Sequence, residues 1–167
     1  DYAAENDLDS TVAITGTGQG GDSLALQDRE FLARTPAAEH AAEEAYDDAG
    51  VTADDADFAE VHDCFTIAEV LATEALGFFE TGEGITAARE GRSTRDGELP
   101  VNLSGGLKAK GHPVGATGAS QIVEVTRLLR GDHPRSDAVA DADTAVAHNA
   151  GGTVASTTVH VVEEVGN

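Results

Sequence analysis

"ADFAEVHDCFTIAEVLATEALG", residues 56–77, contains the transition on which the architecture turns. Its first half sets Phe58 and Val61 among small or acidic residues, as a strand does, and its second half places Ile67, Val70, Leu71 and Ala75 on one helical face. Thr66 and Glu69 have the spacing of a capping box, so the helix is expected to begin at Thr66. A strand that runs directly into a helix leaves His62, Asp63 and Cys64 at the junction. Junctions of this kind are where α/β folds place chemistry, because helix-terminal N–H groups and the helix dipole favour developing negative charge.

The flanking segments read in the same alternating way. "TVAIT" (11–15) is a β-branched run expected to be a strand, and "GTGQGG" (16–21) is expected to be the loop that ends it. A nucleotide-binding reading of that loop lacks both a helix directly behind it and a Walker lysine. "TPAAEHAAEEAYDDAG" (35–50) predicts a helix with Thr35 as cap, Pro36 at the first position, an alanine face and Gly50 as stop. His40 lies among acids in it and reads as a solvated or core-edge residue. Residues 80–100 break into Gly, Thr, Arg and acid, a long surface loop with a short helix near Ala87. "VNLSGG" then leads into "GGLKAKGHPVGATG" (105–118), where glycines surround a single His112-Pro113 pair and shape a loop that presents the imidazole. "ASQIVEVTRLLRG" (119–131) is amphipathic through Ile122, Val125, Leu128 and Leu129, with Arg127, Arg130 and Gly131 at its end. "TAVAHNAGGTVASTTVHVVEEV" (144–165) holds two β-rich runs joined at "NAGG", a terminal hairpin. Together these predict an α/β layered domain with a mixed sheet covered by helices.

Composition narrows the function classes. The chain has 167 residues, 40% of them hydrophobic, enough for one domain with a real core. It starts at Asp1 and contains no methionine, and so reads as part of a longer protein. No apolar run approaches the roughly 20 residues needed to cross a bilayer, so no membrane role is expected. With 31 acidic against 10 basic residues and a net charge of −21, a nucleic-acid partner is not expected either, because such a field repels phosphate backbones. The acids are scattered in pairs, and the only lysines are Lys108 and Lys110, a pattern that reads as adaptation to high salt. A single cysteine excludes an internal disulfide and fits a reducing cytoplasm.

Three segments each deliver polar groups to the end of an element: His62 with Cys64, His112, and His148 with Asn149. In one α/β sheet these loops can converge on one edge and assemble a cysteine with two or three histidines. Each residue also has a plainer reading, Cys64 as a small core hydrophobe and His62 or His148 as satisfied structural residues. His160, between two valines on a strand, reads as structural, and His133, before Pro134 in a loop, as exposed. No CxxC, HExxH or HxH spacing supports a metal site, and no GxSxG elbow supports a serine hydrolase.

"HDCF" at 62–65, "GGLKAKGHPVGATG" at 105–118 and "HNAGG" at 148–152, in this order, resemble the C-terminal domain of the thiolases. The branch resembled is the sterol-carrier-protein-2 type and the archaeal acetyl-CoA acetyltransferases, and with its acidic composition the chain looks haloarchaeal-like. The resemblance runs over nearly the whole chain. It implies that residues 1–10 are the tail end of an N-terminal thiolase domain and residues 11–167 the C-terminal domain.

The resemblance implies an acetyl-CoA C-acyltransferase that joins or splits acyl-CoA molecules through an acyl group held on a cysteine. That nucleophile belongs to an N-terminal domain, and Cys64 does not occupy its position, so this chain alone is expected to be an inactive half-site. His112 would activate the nucleophile and then hydrogen-bond the thioester oxygen, and Cys64 would move the proton at carbon two. His62 would stand where the family's asparagine holds an oxyanion-hole water, the Gly151 or Gly152 N–H would serve a second oxyanion hole, and Asn149 of the same block would be substrate-binding. His148 lies close to where other branches place a catalytic cysteine. No cofactor is implied beyond the CoA thioester substrates. The implied partners are acyl-CoA and CoA, further copies in a homo-oligomer, an OB-fold protein and a hydroxymethylglutaryl-CoA synthase. The alternative is a non-catalytic thiolase-like subunit or scaffold.

Overall fold

The computed structural model describes residues 5–6 and 12–165; the expected domain boundary at residue 10 lies outside them. Among the described residues four strands form one mixed sheet: β1 (Val12–Gly21), β2 (Phe58–Glu60), β3 (Thr144–Gly151) and β4 (Ser156–Glu164). Their spatial order is β1-β4-β3-β2, antiparallel except where β2 pairs in parallel with β3. The helices are α1 (Pro36–Ala49), α2 (Thr66–Ala75), α3 (Gly84–Glu90), α4 (Gly106–Lys110) and α5 (Thr117–Leu129).

The sheet is the middle layer. On one face Ala41, Ala42 and Ala45 of α1 pack with Ala72 and Leu76 onto Val146, Val159 and Val161. On the other, Val125, Leu128 and Leu129 of α5 cover Phe58, Ala145, Ala147 and Val162. Each strand thus sends alternate side chains to opposite layers, the period of two that a sheet buried on both faces requires. No helix among the described residues is long and apolar enough to cross a membrane.

β1 departs from its sequence reading. The "GTGQGG" segment is not a loop: the strand continues through it to Gly21. Gly16, Gly18 and Gly20 are buried and alternate along one face. A Cβ on Gly16, Gly18 or Gly20 would come within 2.1, 1.9 and 1.9 Å of the backbone oxygens of Ala45, Ala41 and Ala37. The glycines let α1 lie against the strand backbone, and the alanine face of α1 is the complement of that stripe. Two α1 acids also find structural work, because Asp48 accepts the Thr17 N–H and Glu44 the Gln19 N–H, covering an edge strand's free donors.

Smaller corrections concern helix starts and the hairpin. Thr35 precedes α1, but its side chain makes no cap bond, while Gly50 closes the helix in the left-handed region as expected. α2 begins at Thr66, yet without a capping box; Glu69 instead accepts the Asn102 side-chain N–H at 3.0 Å. The strand before it is only three residues long. α3 supplies the short helix expected near Ala87. The hairpin turn follows Gly151, so Asn149 and Gly151 belong to β3 rather than to the turn.

Candidate active site

The junction after β2 is shaped by the segment that precedes α4. Asn102, held at a left-handed φ of 54°, accepts the Val61 N–H through its side chain at 2.9 Å while its own N–H bonds the Ala59 carbonyl. Asp63 is buried and accepts the Leu107 N–H at 2.7 Å, at the start of α4. A Cβ on Gly106 would lie 2.3 Å from the same carboxylate, so only glycine fits there. The first and second sequence blocks, "HDCF" and "GGLKAKGHP", are therefore bonded directly to each other.

This bonding brings two histidines together. The His62 and His112 rings are 4.9 Å apart between centroids and meet edge to face at 82°. His112 is exposed and anchored by its Nδ1, 2.7 Å from the Thr117 hydroxyl, which in turn bonds the Pro113 carbonyl at 3.2 Å. His62 is buried, and its Nδ1 accepts the Asn149 side-chain N–H at 3.1 Å. Burial makes His62 less basic, the neighbouring His112 adds to the effect and Asp63 opposes it.

The third block arrives on β3. His148 is 3% exposed, and its Nδ1 lies 3.4 Å from the His62 N–H. Gln121 of α5 donates to the His148 carbonyl at 2.9 Å and accepts from Asn149 at 2.9 Å. Three sequence-distant segments thus form one chain of contacts from His112 through His62 to Asn149, Gln121 and His148. Cys64 is a half-buried free cysteine between His62 and the start of α2. Gly151 and Gly152 are exposed at the end of β3, and Gly152, Thr153 and Val154 take left-handed φ values of 57°, 57° and 64°. That conformation is strained for the β-branched pair. Among the described residues no group of three or more His, Cys, Asp or Glu could hold a metal.

Two histidines outside this chain compare differently with their sequence readings. His160 bonds Thr17 at 3.1 Å and is structural as expected. His133 is not the exposed loop residue expected, since its side chain is 10% exposed and lies 3.4 Å from Glu124.

Burial lowers the His148 pKa to about 3, with His62 adding to the shift. The unfolded chain takes up this proton near pH 6.5 and the folded protein does not. The His148 contribution to stability is therefore expected to be level above pH 6.5 and to fall as pH drops toward 3, by up to about 1.4 kcal/mol per pH unit, while Glu60 and Glu69, raised by burial, act in the opposite sense at the acid end. His62 and His160, also lowered by burial, act in the same direction as His148. Denaturant titrations at pH 7.5 and 5 check this, with His148→Gln expected to lose part of the difference; equal differences in both proteins would show that His148 titrates freely.

Gln121, Asn102 and Thr117 were not singled out in the sequence. Gln121 did carry a signal, being a polar residue four before Val125 on the apolar stripe of α5, where it is only 1% exposed. The others act through contacts 40 or more residues away, or through a turn geometry, that no local pattern reports.

A sheet between helical layers, with imidazoles presented from the loops at one of its edges, defines a thiolase-like α/β domain. A family model described as Thiolase C-terminal domain-like matches residues 18–164, and the chain belongs to that family. It is 44% identical over 153 residues to an acetyl-CoA acetyltransferase of Methanothermobacter thermautotrophicus, covering 92% of this chain and 40% of the relative. It is 43% identical over 111 residues to human sterol carrier protein 2, covering 66% of this chain and 20% of that protein. A benzoylsuccinyl-CoA thiolase subunit, BbsB of Thauera aromatica, is 40% identical over 96 residues, 58% of this chain and 25% of the subunit. The chain thus spans about 40% of the length of the acetyltransferase relatives it matches. Among solved structures, an Ltp2-ChsH2(DUF35) aldolase superposes with a TM-score of 0.79 at 24% identity, covering 92% of this chain and 39% of that one. At that identity the likeness speaks for the fold alone.

Proposed function

We propose that this domain supplies the acid/base and oxyanion half of a CoA-thioester thiolase, an acetyl-CoA C-acyltransferase acting in the cytoplasm at high salt. The observation that carries the reading is the edge-to-face pair of His62 and His112, at 4.9 Å, held between a glycine loop and the Asn149–Gln121 bridge. With the Thr117 hydroxyl proton on the Pro113 carbonyl, His112 Nδ1 donates to Thr117 and Nε2 is left to take a proton from a thiol. The same imidazole, once protonated, donates to a thioester oxygen as enolate charge develops. Because His62 Nδ1 accepts from Asn149, its Nε2–H is a second donor for an oxyanion or its water. Cys64 would shuttle the proton at carbon two, and the N–H of Gly151 or Gly152 would face the acyl oxygen. His148 supports the His62 backbone. The acyl-accepting cysteine would come from a further part of the protein, and no cofactor would enter besides the CoA thioesters.

In the full-length protein, Cys64→Ala is expected to abolish turnover while acyl-enzyme formation persists, measured by acyl transfer from labelled acetyl-CoA. Unchanged turnover would make Cys64 a packed residue only. The likeness to a protein named as a thiolase subunit supports a place as a subunit within an acyl-CoA complex, and the second reading is such a subunit without turnover of its own. Homo-oligomers, an OB-fold protein and a hydroxymethylglutaryl-CoA synthase are the proposed partners. Acetoacetyl-CoA cleavage assayed in molar salt decides between the readings: cleavage by the full-length protein supports the enzyme, and CoA binding without cleavage at any chain length supports the subunit.

A further inference from the structure

We infer that the Glu60 carboxylate is a positioning residue that ties the His62 and His112 loops into one unit, an inference that rests on the reading of that pair as acyl-CoA machinery. Glu60 ends β2, two residues before His62, and has no exposed surface. One of its oxygens accepts the Ser104 N–H at 2.8 Å; the other accepts the Ser104 hydroxyl and lies 3.6 Å from Lys110 Nζ. Lys110 ends α4, two residues before His112, and Ser104 Oγ accepts the Gly106 N–H at the other end of the same helix at 3.2 Å. With Asp63 on the Leu107 N–H, carboxylates from the β2–α2 junction grip both ends of α4. The histidine that follows α4 is thereby placed relative to the histidine between the two carboxylates' own backbone positions.

Stability alone does not call for this arrangement. A buried ion pair returns little over its desolvation, and an apolar pair of similar volume often does as well. Lys110 Nζ has no hydrogen-bond partner among the described residues, so its contribution is charge and placement. The charged groups around the pair are Glu124 of α5, 4.0 Å from Lys110, and His133, 3.4 Å from Glu124, with Arg127 and Arg135 acting on His133. The carboxylate pair Glu60 and Glu124 therefore encloses the single cation that α4 sends inward. What the network returns is geometry at the site, where a displacement of about 1 Å costs on the order of a hundredfold in rate.

The test uses the full-length protein in molar salt. Glu60→Gln is expected to lower kcat for acetoacetyl-CoA cleavage by about tenfold to a hundredfold with KM nearly unchanged. Its crystal structure should show the His62–His112 pair separated or rotated out of the edge-to-face arrangement. Adding Lys110→Met removes the charge that Glu60 no longer offsets and should restore the Tm without restoring kcat. A lowered Tm with unchanged kcat and an unchanged ring pair would overturn the inference and leave Glu60 a structural residue. Should Glu60→Gln not fold, Lys110→Met alone, which leaves the Ser104 bonds in place, gives the same kinetic and structural readouts. If the wild-type protein cleaves no acyl-CoA, the proposed reaction fails, while the comparison of ring geometry still decides the role of Glu60.

Discussion

His112→Ala in the full-length protein is expected to lower both half-reactions, acyl-enzyme formation and the carbon–carbon step, each by about 10²–10⁴-fold. Both losses are expected because one imidazole serves twice, first removing a thiol proton and then donating to the thioester oxygen. The side chain is exposed but not free, since the Thr117 hydroxyl at the first turn of α5 holds its Nδ1 at 2.7 Å. Stopped-flow acylation and steady-state cleavage, measured on the same preparation, separate the two steps. A loss confined to one of them would contradict the dual role.

Gly18→Val is expected to cost about 3 kcal/mol or more, the upper end of what overpacking does, or to prevent folding altogether. Its Cβ would sit 1.9 Å from the Ala41 carbonyl oxygen, and that obstacle is helix backbone, which cannot move aside as a flexible side chain can. Relief requires α1 to lift away from β1, exposing Ala41, Ala42 and Ala45 and with them the core against Val159 and Val161. Gly21→Ala, on the same strand, is the control. Its nearest atom would be 3.9 Å away, so its cost should stay within about 0.5 kcal/mol. Equal Tm values for the two variants would show that α1 does not rest on the glycine stripe.

The elements with strong local signatures were legible. α1 and α5 follow from alanine or leucine periodicity and end at the glycines that the chain marks, Gly50 and Gly131, both with positive φ. The β3–β4 hairpin and the junction at His62 were legible for the same reason, that period and punctuation change within a few residues. β1 was cut short because glycine normally weakens a strand; its value here lies in what the facing helix needs, a fact about residues 37–45 rather than 16–20. The capping box at Thr66 failed because Glu69 has a tertiary partner in Asn102, 33 residues away. Of the site, His112, His148 and Asn149 stood out beside glycine-marked turns, and His62, Asp63 and Cys64 stood out at a strand-to-helix junction. Glu60 did not, because its partners come from another segment and its burial is a property of the finished sheet, and Gln121 showed only as a polar residue on an apolar helix stripe.

The pairing order carries a consequence for synthesis on the ribosome. β4 is an inner strand, with β1 on one side and β3 on the other, yet among the described strands it is made last. Val12 pairs with Glu164 and Gly21 with Ser156, so β1 has no neighbour until residues 156–164 have emerged. Long-range pairing of this kind is slow because loop closure precedes any gain from contact. Until then the nascent chain holds a glycine-rich segment and an alanine helix with no sheet to settle on, and the early half of the domain waits on its final strand.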